Sequence, residues 1–81
     1  MLVDVIDAHV IHGHRVFIRF EDGMEGEVDL KAHLNLEGVF SSLEDPSNFA
    51  KLSVDPDLGT ICWPTGADVA PETLYAWVKR A

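Results

Sequence analysis

The sequence has 81 residues, with 14 acidic against six basic side chains and a formal net charge of −8. A chain of this length has room for one domain, residues 1–81, that buries about 60% of the surface its unfolded form exposes. Such an acidic surface repels the phosphates on which nucleic-acid binding rests, and no run approaches the ~18 apolar residues of a membrane span. The lone cysteine, Cys62, forms no internal disulfide and fits a reducing cytoplasm.

Leu2 to Ile11 alternates as a first strand, with Val3 and Val5 on one face and Leu2 and Ile6 on the other. This opening carries Asp4 and Asp7 without a positive n-region, so it is not expected to be a signal peptide. His12-Gly13 marks a turn. His14 to Phe20 is the clearest strand, Val16, Ile18 and Phe20 on one face and Arg15, Phe17 and Arg19 on the other. Glu21-Asp22-Gly23 is a hairpin turn, and Met24 to Asp29 returns as a third strand with Met24, Gly26 and Val28 inward. The outward Glu25, Glu27 and Asp29 then stand across from the two arginines, pairs that set register more than stability.

Leu30 to Leu36 has a short helical period, which Gly38 breaks. Val39, Phe40, Leu43 and Phe49 are the anchors of an irregular crossing, with a turn at Asp45-Pro46. Ala50 to Asp55 reads as a fourth strand, Pro56 to Gly59 as a turn and Thr60 to Trp63 as the partner strand. Pro64 ends that ladder and Thr65-Gly66 turns the chain. Asp68 is placed as the N-cap of a closing helix with Pro71 in its first turn. Ala70, Leu74, Trp77, Val78 and Ala81 share its apolar face, and Tyr75 lies off that face, where it suits an interface rim. The expected fold is α+β in two layers, a small, mostly antiparallel sheet of about five strands in hairpins. A C-terminal helix and a short central helical segment cover it. Trp63, Pro64, Gly66, Asp68, Leu74 and Trp77 are its structural residues.

The ordered set Phe20-Glu21-Asp22-Gly23, Asp29, Gly38-Val39-Phe40, Leu43, Asp45-Pro46 and Phe49 continues into Gly59, Ile61-Cys62-Trp63-Pro64, Gly66, Asp68, Pro71 and Leu74-Tyr75. Together these resemble the small bacterial domains grouped as DUF family 2442, a domain of unknown function. The likeness covers nearly the whole chain, and Ile-x-Trp-Pro-x-Gly-x-Asp followed by Leu-Tyr is its most specific part. The resemblance implies the same two-layer α+β fold. It also implies a domain that occurs alone or joined to a helix-turn-helix module, sometimes beside another small protein in an arrangement suggestive of a toxin–antitoxin pair. No counterpart of the helix-turn-helix module is expected within this sequence, and the resemblance assigns no catalytic residues.

His9, His12 and His14 cluster, and His12 and His14 are the candidates for a shared metal. Zinc needs a third and a fourth ligand, for which Asp7, Glu21 and Asp22 are at hand, but nothing in the spacing demands them, so a solvated hairpin tip is the expectation and no cofactor is assigned. Cys62 has no activating base near it in sequence and reads as a small buried hydrophobe. Asp22 and Asp29 read as turn and strand-end residues, and the aromatic side chains as core. The expected function is therefore a non-enzymatic, cytoplasmic protein-interaction module that docks to a partner protein or to itself as a homodimer. Asp4, Asp7 and Lys51 are the charges expected to blunt its strand edges, the second and third strands covering one another. The alternatives are an antitoxin-like regulatory subunit acting with a neighbouring protein, and a small metal-binding protein or enzyme built on the histidine cluster.

Overall fold

Alternating residues from Arg15 to Phe20 set the frame of the molecule, because Val16, Ile18 and Phe20 are all fully buried. The computed structural model describes residues 3–34 and 36–80, with side chains through Lys79. Three strands, β1 (Val5–His12), β2 (Arg15–Phe20) and β3 (Glu25–Asp29), form an antiparallel sheet with β2 in the centre. A separate antiparallel hairpin pairs β4 (Ser53–Asp55) with β5 (Thr60–Cys62). The strands come in hairpins as expected, but they divide three and two rather than sharing one sheet. Among the described residues a single backbone bond, Val5 N–H to the Gly59 carbonyl at 2.8 Å, ties the later hairpin to the start of β1.

β1 departs from simple alternation twice. Its register with β2 slips between Val5 and Asp7 and again between Val10 and His12, so Ile6 and Ile11 are the extra residues of two bulges. Bulges re-aim side chains and disrupt an edge ladder. Both isoleucines are exposed in consequence, Ile6 by 55%, while Ala8 and Val10 are brought back towards the core. Leu2, predicted on the face of Ile6, lies outside the described residues, as does Ala81. β3 pairs with β2 on one side only and is the other edge of the sheet, so the mutual cover expected of the second and third strands still leaves β3 an open edge.

Asp29 ends β3 and caps α1 (Leu30–His33), its carboxylate accepting from Lys31 N–H at 3.1 Å. A 3-10 segment (Gly38–Glu44) follows and buries Leu43. Asp45-Pro46 proves to be a helix start rather than a plain turn: Asp45 accepts from Ser47 N–H at 2.9 Å and Pro46 opens α2 (Pro46–Phe49). That backbone bond, and after it one from the Ser47 hydroxyl at 2.9 Å, hold the Asp45 carboxyl below its ordinary value. Ala50 becomes the C-cap of α2 and Lys51 lies in a turn, so the predicted fourth strand shrinks to three residues. Lys51 therefore guards no strand edge.

After β5 the chain folds back at once. Gly66 N–H bonds to the Trp63 carbonyl at 3.0 Å and Trp63 N–H to the Ala67 carbonyl at 2.9 Å. Pro64 takes the second place of that turn and Gly66 its fourth, at a φ of 92° that favours glycine. Asp68 is consequently bridged across to Cys62 and is not an N-cap. The helix α3 (Pro71–Arg80) starts three residues later, where the Ala70 carbonyl accepts from Thr73 and Leu74 N–H. Leu74 and Val78, one turn apart, are its buried residues, and α3 crosses β3 at Gly26, where an added Cβ would come within 3.0 Å of Val78. Ala70 is exposed and Trp77 only half-buried, its ring stacked on His33 with centroids 4.7 Å apart. The buried tryptophan is Trp63, at 3% exposure, with its indole N–H donating to the Phe49 carbonyl at 3.0 Å. Thr60 is buried too, its hydroxyl donating to the Val69 carbonyl.

Candidate functional site

Among the described residues two grooves differ in their charges. The larger of the two, of about 440 Å³, lies at the β3 edge of the three-stranded sheet, lined by Arg15, Phe17, Glu25, Gly26, Glu27 and Val78. Its charges are matched internally, as the alternation of β2 and β3 predicted. Arg15 Nε lies 3.0 Å from Glu27 and Arg19 Nε 2.9 Å from Glu25, with the Arg19 guanidinium also 5.7 Å over the Phe17 ring. His9 stacks on the same ring at 5.1 Å.

The second groove, of about 300 Å³, opens between the start of β1 and the β4–β5 hairpin. Val5, Val54, Pro56 and the bulged Ile6 form its apolar walls, Gly59 lies in its lining, and Asp4 and Glu21 bring the charge. Glu21 N–H donates to the Asp4 carbonyl at 2.9 Å, one rung beyond the Val5–Phe20 pair, so the two acids stand opposite one another. Directly opposed side chains have Cβ atoms about 4.5–5.5 Å apart, and like charges there are unfavourable. Among the described residues neither carboxylate has a hydrogen-bonding or ion-pairing partner, and no cationic side chain lines the groove. Gly59, at a φ of 68°, leaves room for Asp4, whose carboxylate an added Cβ would strike.

The histidines do not converge. His12 is exposed at the end of β1, whereas His14 turns inward, its Nε2 2.6 Å from the Leu43 carbonyl and its ring 4.6 Å from Phe49. No group of three or more His, Cys, Asp or Glu with metal-holding geometry occurs among the described residues. Cys62 is half-buried rather than buried, its sulfur 3.8 Å from the Ser53 hydroxyl across the hairpin. Tyr75 is half-buried as well. It stands edge-on to Phe20 at 4.9 Å and donates its hydroxyl to Asp22 Oδ2 at 2.7 Å. That bond lowers the Asp22 carboxyl below its ordinary value and raises the Tyr75 phenol above its own. Tyr75 thus clamps α3 to the β2–β3 turn, in which Asp22 also accepts from Met24 N–H at 2.9 Å.

The family described as "Protein of unknown function (DUF2442)" matches residues 5–80. The chain belongs to this family. The DUF2442 match spans all five strands and α3. No curated protein and no solved structure matches the chain significantly. Within this DUF2442 domain, sequence reasoning missed Ile6, Glu21 and Gly59 as one site. The hairpin register was the available signal, since pairing Val5 with Phe20 sets Asp4 against Glu21. The bulge at Ile6 left none.

Proposed function

We propose that this DUF2442 domain is a non-enzymatic protein-interaction module of the cytoplasm whose partner presents a basic surface. One observation carries the reading: the acidic excess is displayed outward and is not neutralised from within. Of the 14 acidic side chains only Asp55 is half-buried and the rest are exposed, while two of the six cations, Arg15 and Arg19, are already bound to Glu27 and Glu25. A field of that sign accelerates encounter with a basic protein and opposes both nucleic acid and a second copy of the same chain. A basic partner is therefore favoured over the homodimer. No helix among the described residues is long and apolar enough to cross a membrane.

Proteins that act on nucleic acid carry basic surfaces of the required kind. The antitoxin-like form of the reading, in which the domain covers a neighbouring nucleic-acid-acting protein, draws its support from the same charge. The test is affinity capture with the tagged full chain at low and at high salt, followed by light scattering of the purified complex. A stoichiometric complex with a basic protein, weakened by salt, is the expected result. Failure to obtain any stoichiometric complex, or a partner that binds equally well at high salt, refutes it.

A further inference from the structure

We propose that the groove between the start of β1 and the β4–β5 hairpin is the docking point for an arginine-bearing segment of the partner protein. The inference rests on the interaction-module reading above and gives it a place and a chemistry. Along β2 and β3 each arginine meets an acid, Arg19 the Glu25 directly opposite it and Arg15 the diagonal Glu27. At the groove that matching is broken: Asp4 and Glu21 stand opposite each other one residue beyond the ends of β1 and β2. Opposed like charges oppose folding unless something positive lies between them. An arginine supplies that charge, and its planar fork of five N–H donors suits two carboxylates at once.

The apolar half of the groove selects a protein side chain over a bare cation. Ile6 is held out by its bulge at 55% exposure, with Val54 and Pro56 on the same groove. These surfaces receive the methylene stem of an arginine and an apolar neighbour from the same segment. Leu58, 52% exposed in the turn beside Gly59, extends the apolar surface past the rim. The two β1 bulges also make that edge a poor template for an added strand, so the segment is held by side chains and not by a β-ladder.

The probe is an acetylated Leu-Arg-Leu amide peptide, titrated into the isotopically labelled full chain and followed by amide NMR. The control replaces arginine with citrulline, which keeps the shape and removes the charge. Saturable shifts confined to Asp4, Val5, Ile6, Glu21 and the segment 54–59, absent with citrulline, are expected. The D4N/E21Q double variant should bind about tenfold more weakly or worse, since both charged partners of the guanidinium are lost. Its melting midpoint should rise, because the opposed charges have been removed. No saturable shift, shifts centred elsewhere, or an equal response to citrulline overturns the proposal, and the wild-type comparison decides this whether or not the variant folds. A captured partner that binds wild type and D4N/E21Q equally overturns the groove and leaves the module reading standing, whereas capture of nothing defeats the module reading itself.

Discussion

Replacing the two tryptophans separates a buried anchor from a half-exposed cover. Trp63 is 3% exposed, lies 5.6 Å from the Phe49 ring, and donates its indole N–H to the Phe49 carbonyl. Trp63→Ala removes that packing at about 3–5 kcal/mol, and the lost indole hydrogen bond adds roughly 0.5–1.5 kcal/mol, the Phe49 carbonyl keeping its bond from Leu52 N–H at 3.1 Å. A domain of 81 residues has about 4–12 kcal/mol in total, at roughly 0.05–0.15 kcal/mol per residue, so this variant should be largely unfolded. Trp63→Phe keeps a ring but removes the indole donor from the Phe49 carbonyl, which retains only Leu52 N–H, a loss of about 0.5–1.5 kcal/mol. Trp77 is half-buried against His33, so Trp77→Ala should forfeit only about half of a full aromatic deletion, roughly 1.5–2.5 kcal/mol. Urea unfolding followed by far-UV circular dichroism measures all three. At about 4–8 °C per kcal/mol for a domain this small, the Trp63→Phe midpoint should fall by several degrees on heating. Emission gives an independent check, since Trp63 alone should emit further to the blue than Trp77 alone. A Trp63→Phe variant as stable as wild type, or Trp77→Ala as damaging as Trp63→Ala, refutes the placement.

The histidine pair should divide in the same way: His14→Ala costs about 1–2 kcal/mol through its bond to the Leu43 carbonyl, while His12→Ala stays within about 0.5 kcal/mol, and equal losses in urea would reject the distinction. The Tyr75–Asp22 bond links stability to pH at both ends of the range. Asp22, lowered from 3.8, stabilises the fold above that value and ceases to as pH falls through its folded pKa. Tyr75, raised from 10.0, stabilises below that value and ceases to as pH rises through its folded pKa. Tyr75→Phe should therefore melt closer to wild type at both extremes than at neutral pH, and a constant difference across the range would refute the link.

Local pattern was enough for the parts of this molecule that depend on neighbours in sequence. Period-two alternation placed β2 and β3 and set Arg15 and Arg19 across from the outward acids of β3, of which Glu27 and Glu25 take them. Proline and glycine marked the Trp63–Gly66 turn because each constrains φ on its own, and Pro71 marked the first turn of α3, though Asp68 marked its start too early. Ranking the two tryptophans was beyond any such rule, because both are large and apolar, and only the position of Phe49 and α2 decides which one is enclosed. Asp68 carried a capping residue's chemistry, yet the extra hairpin rung to Cys62 holds it away from the helix. The division of the strands into two sheets, with one bond from Val5 to Gly59 between them, depends on packing across more than fifty residues. The groove was equally hidden: a bulge is one residue of slippage that leaves no mark in the pattern, and opposed charges exist only once register has set Asp4 beside Glu21.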